Sequence, residues 1–179
     1  METYISLLRG INVSGQKKVN MKDLKGLYES LGYSSVSTYI QSGNVVFSAE
    51  TQDKSFLTEQ IKQKIFEFYA FVVPVLIRDI SEIQNVILKN PFVTKAGVEE
   101  QQLYVTFLSE EPQQDLINQL KASDFFPEGF VISDREIFLN CTNGYGKTKL
   151  NNSFFERKLK VNATTRNWRT VNELLKMGK

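Results

Sequence analysis

Residues Cys141-Thr142-Asn143-Gly144-Tyr145-Gly146-Lys147-Thr148 stand one residue away from the phosphate loop G-x-x-x-x-G-K-[ST]. In that loop, backbone N–H groups cradle phosphates and the lysine reaches the terminal ones. Cys141 occupies the place of the first glycine, which makes the loop's tight opening turn. Only about 30 residues follow, too few for the doubly wound sheet that accompanies such a loop. The stretch is therefore expected to be a structural turn that opens a helix at Lys147–Lys149, or a general anion site at that helix start. It is not expected to turn over ATP or GTP.

A second candidate is Thr165-Arg166-Asn167-Trp168-Arg169, two guanidiniums around the only indole of the chain. Arginine can grip a phosphate with its fork while the ring stacks on a base. Equally, Trp168 can anchor the last helix while the arginines cap carbonyls or pair with acids. A third is Arg9-Gly10-Ile11-Asn12, just past a strand end, where a loop on a rigid scaffold can read a ligand or be pinned by its own hydrogen bonds. Tyr4 and Tyr104, in corresponding strands, have the type needed for base stacking. The companion aromatic motif is missing, because Asn44-Val45-Val46-Phe47 has neither its basic residue nor its paired rings. The candidate ligand-binding set is Arg9, Asn12, Lys147, Lys149, Arg166, Asn167 and Trp168, and no catalytic residue is assigned.

What is missing narrows the chemistry. The chain has no histidine and a single cysteine. That removes Ser-His and Cys-His nucleophile pairs, an imidazole base and the common zinc ligand sets. No cofactor or metal is expected, and Cys141 reads as a small buried filler. Net charge is only +2, yet residues 1–25 carry +3 and residues 147–179 carry +7 around an acidic middle of −8. Such basic ends suit an anionic partner, a small molecule or a nucleic acid, or else a solvated surface. Two functions stay open: a binding module for an anionic ligand (a nucleotide or single-stranded nucleic acid), or an enzyme acting on a phosphorylated small molecule. No apolar run is long enough for a membrane span, no basic leader precedes the first strand, and no disulfide can form within the chain. A cytoplasmic placement is expected.

The elements that must position these residues follow from periodicity. Tyr4–Leu8 reads as a strand. Asn20 is a good N-cap for a helix with Met21, Leu24, Leu27, Tyr28 and Leu31 on one face, closed by Gly32. Two β-rich segments flank Gln41-Ser42-Gly43-Asn44, where Gly and Asn can supply the positive φ of a tight turn. A helix over Lys54–Tyr69 and a strand over Phe71–Ile77 complete a β-α-β-β-α-β order. Pro74 inside that strand places it at a sheet edge. After a helical connector stopped by Asn90-Pro91, the order repeats. Leu103–Leu108 is a strand and Pro112–Leu120 a helix. Phe130–Ser133 and Ile137–Asn140 form a hairpin, a helix carries Leu150 to Leu159, and Val161–Arg166 is the last strand. A final helix is predicted to start at Thr170, with Glu173 completing a capping box. The fold class is α+β, with two ferredoxin-like (βαββαβ) halves from an internal duplication. Half one spans residues 1–78, the helical connector 79–98, and half two with the C-terminal helix 99–179.

Three stretches carry a family resemblance: Leu7–Val13, Thr38–Phe47 and Thr164–Val171. Together they resemble the bacterial domain-of-unknown-function family numbered 1697, over essentially the whole chain. The Gly-x-Gly-basic-Ser-Lys-Leu stretch typical of members is matched by Gly144-Tyr145-Gly146-Lys147-Thr148-Lys149-Leu150. Val13-Ser14-Gly15 departs slightly from members that have a second glycine soon after the first-loop asparagine. The resemblance implies a duplicated fold of ferredoxin-like halves and implies no activity.

Overall fold

Alternation along Glu2–Leu8 puts Tyr4, Ser6 and Leu8 on one side of the chain and Ile5 and Leu7 on the other. A computed structural model describes all residues, 1–179, and in it both sides of that strand are buried. The first half runs β1 (Glu2–Leu8), α1 (Met21–Ser30), β2 (Ser34–Tyr39), β3 (Asn44–Ala49), α2 (Lys54–Tyr69), β4 (Val75–Asp79) and α3 (Ile80–Lys89). The second runs β5 (Leu103–Leu108), α4 (Gln114–Ile117), β6 (Gly129–Ser133), β7 (Glu136–Asn140), α5 (Asn152–Leu159), β8 (Ala163–Asn167) and α6 (Trp168–Gly178). Each half builds one antiparallel sheet, ordered β2-β3-β1-β4 and β6-β7-β5-β8. This is the ferredoxin-like arrangement, made twice. The chain divides into two compact units, residues 1–84 with 174–179 and residues 85–173.

The duplication reaches the level of register. Tyr4, Ile5, Ser6, Leu7 and Leu8 face Asp79, Arg78, Ile77, Leu76 and Val75. Tyr104, Val105, Thr106, Phe107 and Leu108 face Asn167, Arg166, Thr165, Thr164 and Ala163 in the same order. Leu8 N–H donates to Gly43 O and Leu108 N–H to Arg135 O, each at 2.8 Å. Arg9 N–H donates to Pro74 O and Ser109 N–H to Asn162 O, each at 2.9 Å. The repeat is therefore one of matching residues in the central strands as well as of element order.

In the first unit α1 and α2 cover one face of the sheet. Leu24, Leu27, Tyr28, Leu57, Ile61 and Ile65 meet Tyr4, Leu8, Val45, Phe47 and Ile77 there. Tyr28 keeps its hydroxyl satisfied against Ser6 Oγ at 2.7 Å, and burial pushes its pKa up. In the second unit the corresponding core holds Leu108, Ile137, Leu139, Leu150, Phe155 and Leu159, with Cys141 among them.

Four local expectations are corrected. Pro74 lies before β4 rather than within it, although β4 is an edge strand. The Pro112–Leu120 helix is a single α turn, because Gln119 and Leu120 bond three residues back to Leu116 and Ile117 and tighten the chain. Lys147 lies in a 3-10 turn, Tyr145–Lys147, and α5 starts later, at Asn152, under the Asn151 cap. The last helix starts at Trp168 because Asn167 Oδ1 accepts from Thr170 N–H at 2.8 Å. Thr170 is thus the third helical residue and not the cap.

Candidate functional site

The first loop, residues 9–20, is short of apolar side chains and rich in unusual backbone. Gly10, Asn12, Ser14, Gly15 and Lys17 all carry positive φ. Val13 and Gln16 pair as a miniature hairpin, and positive φ at both Ser14 and Gly15 is what a type I′ turn requires. Non-glycine residues in this region store strain, which gathers at functional sites. Asn12 holds the loop in place. Its Nδ2 donates to Val19 O and Gln41 O at 2.9 Å each, and its Oδ1 accepts from Val19 N–H at 2.8 Å. Lys17 Nζ donates to Val72 O at 2.7 Å and lies over the Phe71 ring.

This scaffold borders an open cavity of about 700 Å³ in the first unit, lined by Asn12, Lys18, Asn20, Asp23, Gln41 and Tyr69 among others. Asn20 is the N-cap of α1 and accepts from Lys22 N–H at 2.8 Å. The wall is mainly polar, with Lys18 its one cation, Asp23 its one anion and Tyr69 its aromatic side. Asn12, singled out from sequence, thus frames a cavity and is itself tied down. Arg9 opens the loop, its backbone N–H donating to Pro74 O.

The remaining sequence-predicted residues lie in the second unit and do not form one basic surface. Arg166 and Asn167 are successive residues of β8, so they point to opposite faces of the sheet. Arg166 is buried, and its Nη1 donates to Thr164 Oγ1 at 2.7 Å and Thr165 O at 3.0 Å. Trp168 is also buried, 6% exposed. Lys147 and Lys149 are exposed in the Cys141–Leu150 loop. That loop is folded on itself, since Gly144 N–H donates to Cys141 O and Lys147 N–H to Gly144 O. Thr148 Oγ1 donates to Glu128 at 2.8 Å and accepts from Leu150 N–H. Burial and then the Glu128 carboxylate push the Cys141 thiol up to about 12, against a hydrogen bond from Thr148. Cys141 is a core residue in a structural turn.

Asn167 and Trp168 are brought together, with Arg169, Tyr104 and residues 99–101, around a cavity of about 530 Å³ in the second unit. Sequence reasoning weighed Tyr104 only as a base-stacking tyrosine and left Glu99 and Glu100 aside. The pairing of β5 with β8, which sets Tyr104 opposite Asn167, is what joins them.

One ionic cluster had no sequence signal beyond residue type. Lys54 Nζ lies 2.6 Å from Asp79 and 2.7 Å from Glu82. Burial alone would raise the Asp79 carboxyl, but bonds from Lys54, Ser81 and the Glu82 N–H, with the Lys54 charge, hold it at about 2. Burial would likewise lower Lys54, and the two carboxylates outweigh it and raise its pKa.

The model of a protein family described as "Protein of unknown function (DUF1697)" matches residues 1–138, from the start of β1 into β7. The chain belongs to the DUF1697 family. Among solved structures, the conserved bacterial protein SP0830 from Streptococcus pneumoniae is similar at 23% identity and a TM-score of 0.76, covering 99% of each chain. At that identity the likeness shows the fold alone, over the whole length of the chain. No curated protein matches the sequence. No helix is long and apolar enough to cross a membrane.

Proposed function

We propose that this DUF1697 chain is a binding module for an anionic ligand, a nucleotide or single-stranded nucleic acid, whose phosphate enters the first-loop cavity. The observation that carries this reading is the union of strained loop and polar cavity. At about 700 Å³ it falls in the size range of small-molecule sites, roughly 300–1,000 Å³. Lys18 offers the charge, Asn20 and Gln41 offer polar contacts, and Tyr69 offers a ring for a base. The surrounding residues 1–25 carry net +3, which favours approach of an anion.

The alternative, an enzyme acting on a phosphorylated small molecule, needs a lysine or carboxylate tuned toward neutral pH. The Lys54–Asp79 pair is tuned the other way, with Lys54 raised and Asp79 lowered. Cys141 is also shifted away from reactivity. The binding reading is therefore preferred.

Calorimetric titration with nucleoside mono-, di- and triphosphates and short oligonucleotides tests the proposal. Saturable binding that weakens with added salt is expected. Lys18→Ala should weaken it by about 10- to 100-fold, the range for losing one charge-assisted contact. Asp23→Asn should strengthen it, because it removes the one acid from the wall. Binding indifferent to both changes would place the ligand elsewhere.

A further inference from the structure

The second-unit cavity of about 530 Å³ differs in kind from the first-loop cavity. Two rings, Tyr104 and Trp168, stand in its wall, and Tyr104 is braced from behind by Tyr145, with ring centroids 5.2 Å apart. Tyr145 is fixed in turn: its hydroxyl donates to Thr165 Oγ1 at 3.0 Å and accepts from Asn152 N–H at 3.1 Å. An aromatic wall held this way is rigid before any ligand arrives, which lowers the ordering cost of binding.

The same wall holds opposite charges that do not neutralise one another. Arg169 and Glu100 both line the cavity, and neither is engaged in an ion pair. Glu99 is occupied differently, since its side chain accepts from Gln101. Asn167 spends its Oδ1 on the Thr170 N–H of α6. The wall thus offers a ligand one guanidinium, the Glu100 carboxylate beside the amide-bonded Glu99, the Tyr104 ring and the edge of the largely buried Trp168. The corresponding place in the first unit is closed: Tyr4 is 1% exposed and its hydroxyl is bonded to Glu2 at 2.8 Å.

We propose that this cavity binds a zwitterionic small molecule of the α-amino acid class. The ligand carboxylate pairs with Arg169, whose planar fork suits it. The ligand ammonium pairs with Glu100. An apolar or aromatic side chain lies against Tyr104 and Trp168, where a cation or ring gains from the π face. The proposal stands apart from the first-loop site and requires none of its residues.

Trp168 is the only tryptophan, so its fluorescence reports this cavity alone. The experiment titrates the full chain with each proteinogenic amino acid at millimolar concentration while following that emission. A saturable change with a subset of apolar or aromatic amino acids is expected. It should be lost with the N-acetyl and the amide derivatives of the same amino acid, which each remove one charge. Arg169→Ala and Glu100→Gln should each weaken binding by about 10- to 100-fold with an unchanged circular dichroism spectrum. Lys18→Ala should leave it unchanged. Absence of a saturable signal with every amino acid overturns the proposal, and so does binding that survives both substitutions or tolerates both blocked derivatives.

Discussion

At the end of β4, Asp79 caps α3 with its carboxylate and sits in an ion cluster with Lys54, the first residue of α2. At the register-equivalent end of β8, Asn167 caps α6 with its amide oxygen. The first residue of α5 there is Asn152, whose Oδ1 accepts from Thr165 Oγ1 at 2.7 Å. One backbone plan is thus closed by charge in the first unit and by a neutral hydroxyl–amide network in the second. The charged version needs its cluster, because Lys54 stands at the positive end of α2 and would be unfavourable without its two carboxylates. The neutral version leaves room beside Tyr104 and Trp168, and a cavity opens there. Equal folds therefore do not imply equal sites. In this molecule the side chains at these strand ends, rather than the sheets, differ between the two units.

The comparison can be broken most severely at a turn. Gly43 has φ +79°, and a Cβ there would sit 2.6 Å from Leu8 Cβ and 2.9 Å from Ile11 Cδ1. Leu8 Cβ belongs to the central strand and cannot retreat. Gly43→Ala should cost about 3 kcal/mol or more in denaturant unfolding, from strain and overpacking together. Gly144, in the second unit, has φ +80° but open space around it. Gly144→Ala should cost less, about 1–3 kcal/mol, the backbone term alone, since φ +80° with ψ 155° is a region essentially reserved for glycine. Equal losses at the two glycines would show that crowding at Gly43 is unimportant.

Next in size is the exchange of caps. Asp79→Asn gives the first unit the cap of the second and should cost about 1–2 kcal/mol at neutral pH, after allowance for solvent screening of this half-exposed cluster. The folded carboxyl titrates at about 2, below its unfolded value near 3.9. Its contribution is therefore present above about pH 4 and lost as the pH falls toward about 2. Unfolding of wild type and variant across that window should converge on acidification. Asn167→Asp should change stability by under about 0.5 kcal/mol, because Asn152 offers no cation.

The smallest effect concerns the near-phosphate loop. Cys141→Gly restores the missing glycine but empties a buried site, and should cost about 1 kcal/mol while creating no triphosphatase activity. In the native wild type the thiol should resist alkylation at pH 8, since burial and Glu128 keep it protonated. Rapid modification of folded protein would contradict its placement.

Much of this architecture is legible from residues alone. The 3-and-4 spacing from Met21 to Leu31 and the Asn20 cap mark α1 to the residue at its start. The edge position expected for the fourth strand holds, although Pro74, on which it was argued, lies just before that strand. Two neighbouring caps, however, compete at the last helix. Thr170 with Glu173 has a good capping-box pattern, yet Asn167 wins because β8 ends there and its side chain reaches Thr170 N–H. Within the candidate set, Arg166 and Asn167 are parted by strand alternation, which sends Arg166 into the protein while Asn167 stays outside. The first-loop cavity was half legible. Asn12 was singled out, but Lys18 of the same loop was not, and Gln41 and Tyr69 come from two further segments that only the fold brings together.

The central claim is that an anion enters through the first loop rather than through the Gly144–Lys149 loop. The most direct measurement is a titration of ¹⁵N-labelled protein with ATP, followed by amide chemical shifts. Saturable shifts are predicted for residues 12–23 and for Gln41, with residues 141–150 unmoved. Shifts confined to residues 141–150, or none at all, would contradict it.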